Sequence, residues 1–235
     1  MEEGYTYTAQ TRIRELEALA NIASLAATVF FREPDAPMLM AMEPCLEGIR
    51  TRAEDFEQPE LQQGIRLLDD FLEEYHSCVS TADLLERLAV EYAGLFYDIG
   101  VIPVDIFESL WLGKEHTLYE DPYFEVVEVY KQWDYKKSET STEPEDHIAN
   151  ELDFLAYQLK AATVTQENSS YLDRYRMDSV REFVSNHLSR WVPSFCKRML
   201  EATDSTYYTA AVYLTIGLLK TLNSVLALPE GEGFV

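Results

Sequence analysis

The sequence predicts an all-helical protein, an irregular bundle of about eight to ten helices. Apolar residues recur at steps of three and four through most of the chain, and no segment shows the sustained alternation of a β-strand. Only 9 glycines and 9 prolines interrupt the 235 residues, which favours long helices over many short strands. With 47% hydrophobic residues, the chain can bury a substantial core.

The first four helices are predicted from apolar stripes and from the residues that bound them. Their predicted ranges are 8–31, 38–49, 59–75 and 81–96. Pro34 ends the first helix and Pro59 opens the third, because proline fits a first turn and breaks a helix interior. Ser80 is the predicted N-cap of the fourth helix, with Asp83 completing a capping box, and Gly100 follows its end.

The middle of the chain is predicted to be less regular. Residues 100–120 are interpreted as mostly loop, since their pattern is aperiodic and unusually aromatic. Asp121 and Pro122 then begin a short helix that ends near Trp133. The polar stretch 135–142 is the predicted linker. It divides a single helical domain, 1–235, into a front lobe, 1–134, and a back lobe, 143–235.

Three further helices are predicted in the back lobe. A capping box at 142–145 opens the first, whose apolar stripe runs from Ile148 to Leu159. The second covers about 171–191, and Pro193 is expected to force a break or a kink. The last covers about 205–228 and ends at Pro229.

The predicted surroundings are the cytoplasm. The start, Met1–Gly4, has no basic or apolar region of a signal peptide, and Lys220 and Asn223 favour a buried last helix over a membrane span. The 3 cysteines are widely spaced, without a CxxC, which argues against a zinc site or a disulfide framework and fits a reducing compartment.

The charge balance limits the classes of binding partner that are expected. Asp and Glu number 42 against 19 Lys and Arg, a net charge of -23. Such a surface repels phosphate backbones, so no nucleic-acid partner is expected. It would attract basic peptides, although acidity can also serve solubility alone.

The usual signatures of catalysis are missing from the sequence. It contains no GxxxxGK[ST], GxGxxG, GxSxG or HExxH motif. Glu73 and His76 form one ExxH motif where a di-iron bundle needs two, and His147 and Glu151 are only two ligands. No cofactor and no catalytic residue is therefore expected. A metal-dependent helical-bundle enzyme built on these four residues stays the less favoured alternative.

The run Glu143-Pro144-Glu145-Asp146-His147 falls in the first turns of a predicted helix. Carboxylates favour the positive end of a helix and proline its first turn, so the first four residues have a structural explanation. That explanation leaves out His147, whose imidazole ordinarily titrates near neutral pH.

Four stretches together resemble one family. Residues 143–155, EPEDHIANELDFL, resemble the E-P-x-D-H-(I/F) signature of the TorD/DmsD branch of the NarJ-like redox-enzyme maturation chaperones. Residues 91–96, EYAGLF, resemble its Y-x-x-L-F motif, and residues 183–195, FVSNHLSRWVPSF, its F-x-x-x-H-L-x-x-W-x-P-x-F run. Residues 103–111 resemble its P-x(n)-E-S-V-(Y/W) element, with Leu110 in place of the usual valine.

The resemblance implies an all-helical chaperone that binds the twin-arginine leader of a molybdopterin oxidoreductase's catalytic subunit. Such chaperones hold the apoenzyme in the cytoplasm until its cofactor is inserted before export. The positions that match the leader-binding surface of the family, together with the neighbouring Glu143, form the candidate site. They are Tyr92, Leu95, Phe96, Trp111, Glu143, Pro144, Asp146 and His147.

The chemistry of a leader fits these residue types. Arginine forks pair best with carboxylates, which Asp146 and Glu143 could supply. The apolar part of a leader needs a groove with aromatic and aliphatic walls. Leu95 and Phe96 could equally belong to the core, and Asp146 or His147 could brace the linker instead of touching a leader.

Two further alternatives stay open. The protein could be a transient or permanent assembly subunit that recognises the mature oxidoreductase. Exchange through the linker 135–142 could also form a homodimer.

Overall fold

In the computed structural model the described residues are 9–53, 56, 58–97, 103–138, 141–163 and 170–226. These parts of the chain form ten α-helices, one π-helical turn and no strand, which confirms the predicted all-α class. The helices are α1 (Ala9–Phe31), α2 (Ala36–Ala53), α3 (Pro59–Ser77), α4 (Thr81–Phe96), α5 (Glu108–Leu112), α6 (Asp121–Gln132), α7 (Ile148–Thr163), α8 (Ser170–Phe183), α9 (Ser189–Ala202) and α10 (Thr206–Val225).

The core is built on α1, which is buried along most of its length. It packs against α7 and α10, and α10 packs in turn against α3. Residues from both sides of the linker 135–142 therefore share this core. The division into a front and a back lobe stays a prediction.

Two glycines permit the close crossing of α3 and α10. A Cβ atom on Gly64 would lie 2.8 Å from the backbone nitrogen of Leu214, and one on Gly217 would lie 2.6 Å from that of Leu61. Backbone atoms cannot move aside as a flexible side chain can, so neither helix accepts a larger residue here.

Helix boundaries agree with the predicted signals where capping chemistry is local. Ser80 Oγ accepts from Asp83 N at 3.2 Å, and Pro59 occupies the first turn of α3. The predicted start at Thr8, the end at Gly100, the end at Pro229 and positions 139–140 of the linker lie outside the described residues. No described helix is both long and apolar enough to span a membrane.

Three predicted elements differ from the structure. Residues 108–112, expected to be loop, form α5. The run 142–147 is not a capping box at the start of a helix, because α7 begins only at Ile148. The chain also stays helical through Pro193, and the irregularity lies upstream, in a π-helical turn at Val184–Leu188.

A π-helical turn and a proline lie close together in this part of the chain. Pro193 has no amide hydrogen, so the carbonyl of Ser189 loses its usual partner one turn later. Within the turn, Ser189 N–H donates to Val184 O, five residues back instead of four. The wider turn shifts the side chains around His187 relative to a regular helix.

Candidate functional site

Two of the motif segments meet in a short antiparallel bridge between Phe107 and His147. Glu108 N donates to Asp146 O at 2.9 Å, and Ile148 N donates to Ile106 O at 2.8 Å. The bridge holds the start of α5 beside the start of α7. Residues 40 positions apart are thereby fixed to one another at the site.

Asp146 caps α5 from outside that helix. Its Oδ2 accepts from Ser109 N at 3.0 Å and from Ser109 Oγ at 2.5 Å, and its side chain is fully buried. Burial raises the pKa of Asp146, although the hydrogen bonds from Ser109 oppose that rise. In this conformation the carboxylate anchors α5 and does not face solvent.

Two further buried acids belong to the same site. Glu108 and Glu151 are both fully buried, and the charge of Glu108 acts on the carboxyl group of Glu151. Burial, then the charges of Glu108 and Asp146, raise the pKa of Glu151 well above its usual value. Burial likewise raises the pKa of Glu108, against the opposing hydrogen bond to His187. Two carboxyl groups in this position are most stable when they share a proton.

The other motif helices complete the network. His187 Nδ1 lies 3.0 Å from Glu108 Oε2, and Trp191 Nε1 donates to Glu151 Oε2 at 3.2 Å. His187 and Trp191 are one turn apart in the sequence, so the π-helical turn and α9 direct both inward. The network therefore ties α5 to α7 and to the junction of α8 and α9.

His147 is neutral at physiological pH. Burial, helped by the charge of Lys137, lowers its pKa to about 3. Its Nδ1 accepts from Ala149 N at 3.0 Å, so the ring satisfies a backbone amide at the start of α7. His147 therefore differs from an ordinary exposed histidine, whose imidazole titrates near neutral pH.

We expect His147→Asn to keep most of the stability of the fold, since an asparagine oxygen can accept from the same amide. His147→Ala should lower the free energy of unfolding by about 1–3 kcal/mol, because that buried amide loses its partner. Urea unfolding at pH 7.5 measures both.

The same two variants test the titration of His147. The unfolded-state pKa is about 6.5, and the folded-state value is about 3. The stability that neutral His147 provides is therefore complete above pH ~6.5 and decreases as the pH falls towards the folded value. The asparagine variant should lose less stability than the wild type between pH 7.5 and 5. Equal losses would contradict a neutral, buried His147.

The apolar candidate residues divide into buried and half-buried ones. Tyr92 and Leu95 are buried, with Tyr92 Oη donating to Phe30 O at 3.2 Å. Phe96 and Trp111 are half-buried. Trp111 lies on α5, and its Nε1 donates to Asp105 O at 2.9 Å, which fixes the ring at the surface.

These residues belong to one region of the molecule. Val104 N donates to Leu95 O at 2.9 Å, which joins the end of α4 to the segment leading into the bridge. Burial raises the pKa of Tyr92, and the charges of Tyr97 and then Glu143 add to the rise, so Glu143 lies within electrostatic reach of that phenol. The structure therefore brings the motif residues of α4, α5 and the 143–147 turn together.

The turn itself is braced from α7. Asn150 Nδ2 donates to Pro144 O at 2.7 Å and to Glu143 O at 3.4 Å, and Lys137 Nζ also donates to Glu143 O. Both Glu143 and Pro144 keep part of their surface exposed. Their backbone carbonyls are occupied, whereas their side chains border solvent.

A cavity of about 310 Å³ lies beside this turn, between α1 and α7. Its lining is half polar. The lining residues are Ser24, Ala27, Thr28, Phe31, Arg32, Ser138, Ser141, Ala149, Asn150 and Asp153.

The enzyme alternative gains no support from the positions of its residues. Within the described ranges no group of three or more His, Cys, Asp or Glu side chains could hold a metal ion. His76 lies 3.5 Å from Glu43, and His147 and Glu151 each bond to other partners.

Sequence reasoning missed the roles of Glu108, Ser109 and Glu151. The motif E-S-L-W drew attention to its tryptophan, while the buried acid and serine before it make the structural contacts. A signal was present in the sequence. Glu151 falls on the apolar stripe of α7, one turn before Leu155, where a carboxylate must be paired or protonated.

These features define a helical bundle whose buried polar groups position a short helix that carries a surface tryptophan. The model of the nitrate reductase delta subunit family matches residues 54–197. The chain therefore belongs to that family, which confirms the resemblance found in its motifs.

Curated relatives match most of the chain. The selenate reductase assembly chaperone protein of Thauera selenatis is 30% identical over 169 residues, covering 70% of this chain and 81% of that one. The chlorate reductase assembly chaperone protein of Ideonella dechloratans is 28% identical, covering 74% and 82%. The chaperone protein TorD of Photobacterium profundum is 26% identical, covering 69% and 73%.

A solved structure shows a weaker likeness. A candidate redox enzyme maturation protein from Archaeoglobus fulgidus is 19% identical, with a TM-score of 0.41, covering 83% of this chain and 91% of that chain.

Proposed function

We propose that this protein is a cytoplasmic chaperone for the catalytic subunit of a molybdopterin oxidoreductase. It binds the twin-arginine leader of that subunit and holds the apoenzyme for cofactor insertion before export. The role is one of binding and not of catalysis. The relatives named as assembly chaperones for selenate and chlorate reductases support a reductase as the partner.

One structural observation supports this proposal above the others. Three of the four motif segments meet in one buried network, and half-buried Trp111 follows its members Glu108 and Ser109 on α5. The fourth segment, on α4, carries half-buried Phe96 and is joined to them by Val104 N, which donates to Leu95 O. The motifs thus serve to hold an aromatic surface in a fixed position. Rigid aromatic side chains at a surface lose little entropy on binding an apolar peptide.

The candidate residues have different parts in this proposal. Trp111, Phe96 and the side chains of Glu143 and Pro144 provide contact surface for the leader. Tyr92 and Leu95 support that surface from the core, while Asp146 and His147 fix α5 and the start of α7. Direct contact of Asp146 with an arginine would require α5 to move away from the bridge.

Calorimetric titration with synthetic leaders from the molybdoenzymes of the source organism tests the proposal. Each leader is paired with a control peptide in which both arginines are replaced by glutamine. We expect one leader to bind with a dissociation constant on the order of micromolar. Its glutamine control should bind more weakly, because charge-assisted hydrogen bonds are lost.

A matched pair of variants locates the contact. Trp111→Ala should weaken leader binding about tenfold or more. Tyr175→Ala removes an exposed aromatic side chain from α8 and should leave binding unchanged. No binding of any leader by the folded protein would contradict leader recognition and favour recognition of the mature oxidoreductase. The homodimer stays a prediction, which size-exclusion chromatography with light scattering can check.

A further inference from the structure

A cluster of apolar side chains is left exposed on the loop after α5 and on α6. Leu118 is 39% exposed, Tyr119 55% and Phe124 59%. Large apolar side chains that stay in water this close together mark a surface for a partner more often than scattered ones do.

The loop that carries Tyr119 adopts an unfavourable backbone conformation, and hydrogen bonds to Glu120 hold it there. Tyr119 has a φ of 65° and His116 a φ of 52°, both in the left-handed region that non-glycine residues rarely adopt. The Glu120 carboxylate accepts from Thr117 N at 2.8 Å and from Glu115 N at 3.1 Å. These amides, Thr117 first, lower the pKa of Glu120, so it stays ionised and bonded to the loop.

The neighbouring helix continues the same surface. The Tyr119 and Tyr123 rings meet edge to face at 4.9 Å, and Phe124 follows on the exposed side of α6. Tyr130 Oη, on the same helix, donates to Glu145 O at 3.1 Å. Burial, and then Glu145, raises the pKa of the Tyr123 phenol to about 12. The exposed patch therefore adjoins the 143–147 turn of the candidate site.

Carboxylates surround the exposed aromatic rings. Asp121, Glu125 and Glu128 occupy the same exposed side of α6 as Phe124, at helical steps of three and four. Lys114 lies 3.8 Å from Asp121, and Lys131 lies 3.6 Å from Glu128. Both ion pairs are exposed and contribute little to the stability of the fold. Glu125 has no ion-pair partner among the described residues.

The buried position of Asp146 leaves a leader's arginines in need of another acceptor. Phe124 and Tyr119 offer aromatic faces on which a guanidinium can stack, and the carboxylates of α6 offer paired acceptor oxygens. We propose that Tyr119, Phe124, Asp121, Glu125 and Glu128, the acidic aromatic face, receive the arginine pair of the leader. This inference rests on the proposed function and adds the site that binds the positively charged arginines of the leader.

The spacing of the face suits two adjacent arginines. Residues 121, 125 and 128 rise along α6 by about 6 Å and about 4.5 Å, at 1.5 Å per residue. Consecutive Cα atoms of a peptide are about 3.8 Å apart, so two adjacent arginine side chains can reach neighbouring carboxylates where the peptide backbone turns both towards this face. Because α5 packs against α6, the apolar part of the same peptide can reach Trp111.

Calorimetric titration of the full chain with the leader that binds wild type tests this face. The charge variant is Glu125→Gln with Glu128→Gln, and the aromatic variant is Phe124→Gln. The matched controls are Asp70→Asn with Glu73→Gln, which removes two exposed carboxylates at the same spacing on α3, and Val90→Gln, which removes an exposed apolar side chain from α4. Circular dichroism establishes that all four variants are folded.

We expect the charge variant and the aromatic variant each to weaken leader binding at least fivefold, and both controls to bind within twofold of wild type. The charge variant should also lose most of the difference between the leader and its glutamine control peptide. Unchanged binding by both test variants, with wild type binding the leader, would overturn this assignment and leave the proposed function standing. Failure of wild type to bind any leader would overturn the proposed function and this assignment with it.

Discussion

Replacing Asp146 with alanine is expected to lower the free energy of unfolding by about 2–4 kcal/mol. The substitution removes two hydrogen bonds to Ser109 and leaves the buried Ser109 amide without a partner. The bridge between Phe107 and His147 also loses the side-chain contact between Asp146 and Ser109 that lies beside it. Urea denaturation followed by circular dichroism at pH 7.5 measures the loss.

The design of this experiment separates anchoring from direct contact. Asp146→Asn keeps an oxygen that can accept from Ser109, so it should recover most of the stability. Because the carboxylate is buried, the asparagine variant should also bind the leader within about threefold of wild type, a difference of less than 1 kcal/mol. Asp70→Ala, at an exposed acid on α3, should change stability by less than about 0.5 kcal/mol.

Two outcomes would contradict the anchoring role. Unchanged stability of the alanine variant would show that Ser109 finds other partners. Normal stability of the asparagine variant with loss of leader binding would show that the charge of Asp146 itself meets an arginine. The second result would require α5 to open during binding.

The effect of replacing Glu151 is expected to depend on the substitute. Glu151→Ala should lower the free energy of unfolding by about 2–4 kcal/mol, because it leaves a cavity and removes the hydrogen-bond acceptor of Trp191 Nε1. Glu151→Gln imitates the protonated acid. Its amide oxygen can accept from Trp191 Nε1, and its amide nitrogen can donate to Glu108.

The pH dependence of the glutamine variant follows from the raised folded-state pKa of Glu151. A carboxyl whose folded pKa exceeds its unfolded value of about 4.3 favours folding below that unfolded value and loses this contribution as the pH rises towards the folded pKa. Each unit of pH in that window can remove up to about 1.4 kcal/mol per proton.

Wild type and Glu151→Gln both contain His147, so the difference between their pH slopes reports the carboxyl group of Glu151. As the pH rises from about 4.3, the unfolded pKa of the carboxyl group, we expect wild type to lose more stability than Glu151→Gln. Urea unfolding across this range measures both slopes, with Glu73→Gln, an exposed acid on α3, as the control. Parallel slopes for wild type and Glu151→Gln would contradict a buried, protonated carboxyl at this position.

Local signals in the sequence predicted the elements that local chemistry controls. The apolar stripes of α1, α3 and α4 follow from the pitch of a helix, and Ser80 caps its own helix through a hydrogen bond across three residues. Such interactions are complete within a few residues, so the sequence contains everything needed to predict them.

The candidate site was predictable only in part. The motifs selected four segments as the candidate site, and the structure places those segments together. The sequence did not reveal that Asp146 and His147 point inward, because their partners Ser109 and Phe107 are about 40 positions away. For the same reason a short helix of five residues, α5, could not be predicted, since it is capped by Asp146 from outside itself.

The sequence by itself determined the helical class, the acidic charge and the family, because periodicity, composition and motif spacing are properties of the chain. Only the tertiary structure decided which of the motif residues face solvent. The carboxylate of Asp146 is chemically suited both to binding an arginine and to capping a helix. Its burial against Ser109 favours the cap, and burial results from packing between distant segments.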